Sequence, residues 1–382
     1  MRSNRIGPIL FVVIISFTRF FAPKPFEKLS IPEQSYPRNM KCPVCETDCI
    51  TPAKDLLATL PTIFLPCADC SIRILDKGSP LKDLEFAQPC SCGKRFIDEV
   101  FAHLYSIMVE EGDLNRTDPL IAVGTPLVHP GFAMDRPPFL PNKSLVLLSA
   151  KVTRLTAERL VEEVPELRGV VKKDDFIPGI ASSDLLAVPK VYELLAGCDV
   201  RADVYPLRTG PIVMYKQQTL IHIEFPRPGY PKIRAVEQHV GQPPVSYFVD
   251  ACSGVGTLGL AAACLGVPHV VMNDAWYASA FWSAFNIEIN RARLNISRVK
   301  IFEQLHDLQK HPIVADPIKI AETTGDQEIE VYQGDFNKLY TVLNPGCNPV
   351  TVLDIFDKND QNAIQEFRNE WLKRVGGEVF IP

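Results

Sequence analysis

Residues 245–274 constrain the fold more tightly than any other stretch of the chain. Val245-Ser246-Tyr247-Phe248-Val249-Asp250 is an apolar run closing on an acid, and Ala251-Cys252-Ser253-Gly254-Val255-Gly256-Thr257-Leu258-Gly259 follows it directly. This order predicts a strand, a glycine turn and a helix. The helix runs on to Cys264 and stops near Gly266, where a left-handed cap needs no Cβ. A second buried strand is expected over 267–272, ending in Asn273-Asp274. Gly254 and Gly256 let the backbone come close to a ligand at the helix amino terminus. An acid at the end of the second strand is placed to accept hydrogen bonds from ribose hydroxyls.

The turn by itself leaves two cofactors open. Gly254-Val255-Gly256-Thr257-Leu258-Gly259 matches the dinucleotide pattern G-x-G-x-x-G, and Asp274 stands at the expected distance from it. Three further features decide between them. Asp250 lies four residues before the first glycine; Gly334-Asp335 follows a strand expected over 329–332; and a fourth strand over 350–353 ends in Asp354-Ile355-Phe356-Asp357. Together they resemble the successive motifs of class I S-adenosylmethionine-dependent methyltransferases, with a Rossmann-like α/β fold. Within that superfamily the chain resembles the archaeal tRNA guanine-N1 methyltransferases and their wyosine-pathway relatives. The resembling residues are Asp250 to Gly256, Asn273-Asp274, and a following helix that carries Asn286 and Asn290. The likeness spans roughly 212–274 and the strand at Asp354.

The resemblance implies that Asp250 and the turn with Ser253, Gly254 and Gly256 contact the methionine portion of S-adenosylmethionine, Asp274 the ribose, and Asp335 with Phe336 the adenine. Trp276 and Tyr277 are expected near the cofactor edge, where they could stack on adenine or a target base, while Phe281, Trp282 and Phe285 read as core. Cys252 reads as a small packing residue. The chain departs from the superfamily where amino-group methyltransferases carry Asn- or Asp-Pro-Pro-aromatic, and it has no Pro-Cys nucleophile, so the target atom stays open. Asp354 is the candidate for holding or deprotonating the target; Asp357 is the reserve, with a helix-cap role as its alternative. Residues 296–327 read as an insertion with helical spacing, and the usual last two strands of the fold are missing, as in a carboxy-terminally trimmed domain.

Seven of the eleven cysteines lie between Cys42 and Cys92, six of them as Cys42-Pro43-Val44-Cys45, Cys67-Ala68-Asp69-Cys70 and Cys90-Ser91-Cys92, with Cys49 the seventh. In C-x-x-C a tight turn lets two thiolates share one tetrahedral zinc, and two such knuckles complete a closed site that holds structure and leaves no position for substrate. Cys42, Cys45, Cys67 and Cys70 have zinc-ribbon spacing. Cys90 and Cys92 could replace the second knuckle, or bind a second metal with Cys49 and His103. One zinc is expected, two being the alternative. A helix from Arg95 to Leu104 should pack against this module.

The expected organisation is an amino-terminal extension (1–39), a cysteine-rich zinc module (40–115), an α+β middle domain (116–244) and the methyltransferase domain (245–382). The middle shows a strand over 144–148, a helix over 157–164 that Thr156 could cap, and a hairpin pairing 212–215 with 220–225. Lys172, Lys173, Arg208, Lys216, Arg227, Tyr230, Lys232 and Arg234 could line a substrate groove or form a solvated surface. Arg2 and Arg5 precede an apolar run over 9–17, too short to span a bilayer and without a small-residue cleavage site; Met40 is an alternative start. Cysteines in metal spacing suit a reducing compartment, so a cytoplasmic protein without stable membrane association is expected. RNA, as tRNA or rRNA, is the expected substrate. A net charge of -5 argues against a global nucleic-acid field, so a protein substrate is the second reading and a nonenzymatic nucleotide-binding or sensor protein the third.

Overall fold

The computed structural model describes residues 40–179, 189–241, 244–355 and 361–382. The amino-terminal extension and Asp357 lie outside these residues. In chain order the elements are α1 (Ala53–Thr59), β1 (Arg95–Phe96), α2 (Ile97–Glu110), β2 (Thr125–Val128), β3 (Phe139–Leu140), β4 (Leu145–Ser149), α3 (Arg154–Glu163), β5 (Leu167–Lys172), β6 (Glu193–Gly197), β7 (Val200–Tyr205) and β8 (Ile212–Gln217). They continue with α4 (Pro231–Gly241), β9 (Tyr247–Asp250), α5 (Thr257–Cys264), β10 (His269–Asp274), α6 (Tyr277–Asn290), β11 (Ile296–Ile301), α7 (Leu305–Leu308), β12 (Ile318–Gly325), β13 (Glu328–Gln333), β14 (Val350–Val352), α8 (Gln361–Arg374) and β15 (Glu378–Phe380).

Among the described residues, seven strands form the principal sheet in the order β11-β12-β13-β10-β9-β14-β15. β13, β10, β9, β14 and β15 run parallel, each with its neighbour. This is the doubly wound Rossmann-like order, reversing direction between β9 and β14 so that the carboxyl ends of β9, β10 and β14 open on one crevice. Side chains alternate between two buried faces, as a parallel sheet requires. Phe248, Val270 and Met272 join the core that holds α4, α5 and α6; Tyr247, Val249 and Val271 pack with Leu339, Leu343 and Trp371 on the other side. The segment read as a helical insertion supplies instead β11 and β12, antiparallel to each other, with β12 antiparallel to β13. The alternation in β12 is broken by a register shift between Lys319 and Ala321, so that its buried residues are Ile320, Ala321 and Thr323, and no clean strand period shows in the sequence.

A second sheet, β2-β4-β5-β6, carries the middle of the chain. β4, α3 and β5 form a parallel βαβ unit, and α2 fills its core with Val100, Leu104, Tyr105 and Met108 against Leu145, Leu147 and Val170. α2 also packs against the cysteine module as expected: Glu99 pairs with Arg73, Leu75 N donates to Asp98 at 2.8 Å and Ser106 Oγ donates to Leu84 O at 3.0 Å. α3 begins three residues earlier than its apolar pattern suggests, because Thr153 is the cap and its side chain accepts from Thr156 N at 3.3 Å.

The expected hairpin is also re-paired. β8 pairs antiparallel with β7, Tyr205 opposite Ile212, around a loop in which Gly210 has φ 110°. Residues 220–225 form no strand. The apolar run 212–215 had a partner on each side in sequence, and the one before it offers six alternating residues rather than a broken run. Stacked on α6, this hairpin shares the core of the principal sheet. α6 is therefore buried on nearly every side, which explains its lack of a polar face.

Candidate active site

The 253–256 turn is built by backbone conformation first. Gly254 has φ 53° and Gly256, the residue before α5, has φ 86°, values that a side chain resists. A Cβ on Gly256 would meet Met272 Sδ at 3.1 Å and Ser283 Oγ at 3.2 Å, whereas one on Gly254 would meet nothing within 4 Å. The turn is thus pressed against β10 and α6 at Gly256 and open at Gly254. Ser253 N donates to Asn273 O at 2.8 Å, and the Ser253 and Ser283 hydroxyls lie 3.2 Å apart.

Three acids expected from sequence converge here. Asp250 is fully buried. Its Oδ2 accepts from Gly259 N at 2.8 Å, while its Oδ1 has no partner among the described residues. Burial pushes its carboxyl up to about 8, tempered by the Gly259 amide. Asp274 accepts from Gly254 N at 2.9 Å and from Trp276 N at 2.9 Å. Although part of its surface stays open at the turn, enclosure by protein raises it to about 7 against the pull of those two amides. Asn273 braces the crevice floor, its amide donating to Ala251 O at 3.1 Å and Gly334 O at 2.9 Å; its Oδ1 also lacks a partner among the described residues. Two buried acceptors without donors, beside a turn open at Gly254, suit a ligand that brings an ammonium and hydroxyl groups.

The third acid, Asp354, follows β14. Its Oδ2 accepts from Lys232 Nζ at 2.7 Å, and Lys232 Nζ also lies 3.3 Å from Glu224 Oε1, which is 3.5 Å from His222 Nε2. Burial works against the charge on Lys232, but Asp354 and Glu224 outweigh it and hold the ammonium above the ordinary lysine range. Burial lowers His222. His222 and Glu224 were missed because 220–225 read as a strand of a distant hairpin. The segment in fact passes the crevice, tethered where Trp276 Nε1 donates to Leu220 O at 3.3 Å.

The other expected site residues also make local contacts. Trp276 and Tyr277 are buried and pack edge to face with centroids 4.7 Å apart. Asp335 Oδ1 accepts from Asn337 N at 2.9 Å, capping a short 3-10 helix, and Phe336 sets its ring edgewise on Phe367 at 5.7 Å. Cys252 is enclosed, and burial drives its thiol well above the ordinary range, which suits packing and not nucleophilic attack.

The cysteines form two groups, not one ribbon. Cys67, Cys70, Cys90 and Cys92 make one, and Cys42, Cys45, Cys49 and Cys198 the other; within each, the sulfurs lie within 4.8 Å of one another. Spacing identifies knuckles but not which knuckles share a site, and Cys198 arrives from the second sheet, far away in sequence. His103 belongs to neither group: it stacks on Phe86 at 3.7 Å and lies 3.2 Å from an Arg95 nitrogen. In the first group Cys67 to Cys70, Cys67 to Cys90 and Cys70 to Cys92 are 3.7, 3.5 and 3.6 Å. Four sulfurs about 2.3 Å from a tetrahedral zinc are about 3.8 Å apart, so the spread fits such an ion.

No helix among the described residues is long and apolar enough to cross a membrane. No protein-family model and no curated protein matches the sequence. Among solved structures the chain is similar to Trm1 from Pyrococcus horikoshii in complex with S-adenosyl-L-methionine, at 17% identity over 39% of this chain and 34% of that one, with a TM-score of 0.28. It is similar to Pyrococcus horikoshii TYW2 in complex with MeSAdo, at 16% identity over 62% of this chain and 66% of that one, TM-score 0.33. It is also similar to aTrm5 in complex with tRNALeu, at 14% identity over 83% and 70% of the two chains, TM-score 0.35. The chain therefore spans about a third of the Trm1 structure and just under two thirds of the TYW2 structure.

Proposed function

We propose that this chain is an S-adenosylmethionine-dependent methyltransferase acting on RNA. One observation carries the reading: two acids, the buried Asp250 and the partly open Asp274, end adjacent parallel strands on either side of a positive-φ glycine turn, with a third, Asp354, just beyond the next strand. Asp250 and the 253–256 turn would hold the methionine end, Asp274 the ribose and Asp335 the adenine edge. When bound, the cofactor supplies an electrophilic methyl group. The chain's own part is to orient the target in line and to accept its proton or hydrogen bond. Asp354 is the group for this, and Lys232 positions it. Asp357 is proposed only as reserve.

RNA is favoured over protein by the resemblance of residues 250–274 to tRNA methyltransferases and by aromatic and basic side chains around the crevice. Phe225 is 56% exposed with the Arg201 guanidinium 5.4 Å from its ring centre, and Arg227 lies 5.7 Å over Tyr230. Phe225 and Arg227, the exposed members, offer faces for unpaired bases to stack on, while Arg201 and Tyr230 back them from within the fold. Zinc at Cys67, Cys70, Cys90 and Cys92 would hold the segment before α2 folded, and reduced thiols in this arrangement support a cytoplasmic setting. Incubation with radiolabelled S-adenosylmethionine and separated RNA and protein from the host should label RNA. Label confined to protein, and lost with Asp354→Ala, would move the substrate to protein and leave methyl transfer intact.

The raised carboxyls give a second test. In the free protein Asp250, near 8, and Asp274, near 7, retain protons at pH 6; an ammonium and hydroxyl donors would favour their ionised forms. Cofactor binding should therefore release protons and tighten as pH rises from 6 to 8. By the same linkage, both groups bind more protons folded than unfolded, so the free protein should lose stability as pH rises through that window. Calorimetry in buffers of different ionisation enthalpy measures the release; heats independent of buffer at pH 7 would refute it.

A further inference from the structure

We infer that Cys42, Cys45, Cys49 and Cys198 bind a second zinc ion, and that this site is a clasp that keeps the 253–256 turn in shape. The second half of that inference rests on the cofactor reading above; the first does not.

The sulfur geometry comes first. Cys42 to Cys198, Cys49 to Cys198 and Cys45 to Cys49 are 3.8, 3.8 and 3.4 Å apart. All four thiols are free; a disulfide needs about 2.05 Å, and a zinc tetrahedron about 3.8 Å. The 42–45 segment already has a knuckle's backbone, with Cys42 N donating to Thr47 O at 2.9 Å and Glu46 N to Cys42 O at 3.0 Å, and Glu46 at φ 58°. Cys198 is fixed from the opposite side. Its N donates to Arg168 O at 2.9 Å, and Gly169 lies so close that a Cβ there would fall 2.4 Å from Cys198 O.

Charge is an independent observation. Arg168 is only 6% exposed. Its Nη2 donates to Cys49 O at 2.6 Å, its Nε has no partner and no acid pairs with it, both among the described residues. An uncompensated buried guanidinium is costly. Four thiolates around a divalent ion carry two net negative charges, and they lie directly beside it.

The site is joined to the cofactor turn by a short chain of hydrogen bonds. Thr51, two residues after Cys49, donates its N to Tyr215 Oη at 3.0 Å, and that hydroxyl donates to Thr51 O at 3.2 Å. Tyr215 N donates to Asn286 Oδ1 at 2.7 Å, and Asn286 Nδ2 donates to Tyr215 O at 2.9 Å and to Val255 O at 3.1 Å. Val255 lies between the two glycines of the turn. The other cysteine group adjoins Arg95, Phe96 and Glu99 at the start of α2, on the far core. With the clasp open, the 40–51 segment loses its anchor on the second sheet and Tyr215 its partner, so the turn should open more often.

Elemental analysis of the full chain should find two zinc ions. Cys198→Ser and Cys92→Ser should each retain one. Calorimetry should show S-adenosylmethionine bound about tenfold more weakly by Cys198→Ser and unchanged in Cys92→Ser, with Cys198→His, a substitute ligand, restoring both metal and affinity. Amide exchange over 251–259 in the free protein reads the same coupling without a cofactor, faster in Cys198→Ser only. If Cys198→Ser does not fold, Cys45→Ser, at a more exposed ligand, carries the test. One zinc in the wild type, or two in Cys198→Ser, would overturn the site. Equal exchange in the two variants would overturn the coupling. Failure of the wild type to bind cofactor while the exchange difference persists would instead count against the proposed function.

Discussion

Asp354→Asn is expected to lower the rate of methyl transfer by about 100- to 10,000-fold, the range for loss of a positioned acid or base, with cofactor affinity close to wild type. The side chain is the same size, so the substitution isolates charge. Asp354 sits beyond β14, the strand next to β9 at the switch point, with Lys232 Nζ 2.7 Å from Oδ2. Its backbone does not depend on the charge; its ion pair with Lys232 and its ability to accept a proton or a strong hydrogen bond do. Lys232→Met should fall short of this effect. In the double variant the two losses should not multiply, since both act through one carboxylate. Single-turnover rates with bound cofactor measure this directly. A wild-type rate in Asp354→Asn would place the chemistry on another residue.

Asp274→Ala should weaken S-adenosylmethionine binding by about 100-fold, since two hydrogen bonds to a charged group are worth about 3 kcal/mol together. The carboxylate is also the anchor of the turn, through Gly254 N and Trp276 N. Asp274→Asn keeps one acceptor and should lose less. Calorimetry on both, with melting temperatures as a control for folding, separates ligand contact from collapse of the turn. Tight binding of a nicotinamide dinucleotide by the wild type would reverse the choice of cofactor.

The crevice was legible because its signals are local. Asp250, Gly254, Gly256 and Asp274 fall within one βαβ unit, where strand ends and a turn dictate position directly. What failed were pairings across distance. The run 212–215 could pair forwards or backwards, and periodicity does not choose; the backward choice moved His222 and Glu224 from a hairpin to the crevice. The cysteine knuckles were visible, but Cys198 has no knuckle of its own and becomes a neighbour only because β6 and β7 turn it towards Cys42 and Cys49. The packing of Phe336 was equally out of reach, because the ring set against it, Phe367, comes from α8.

The two asparagines of α6 have a consequence of their own. Asn286 serves both main-chain groups of Tyr215, and Asn290 donates to Val213 O at 2.7 Å and accepts from Val213 N at 3.1 Å. Four helical residues advance about 6 Å and two strand residues about 6.7 Å, so side-chain amides four residues apart imitate a neighbouring strand. A two-stranded ribbon otherwise offers a row of bare peptide groups to any passing extended chain. Here the helix occupies that row, protecting β8 from strand exchange and aggregation. Because the amides read only backbone, they fix the ribbon's register while leaving its side chains free to diverge.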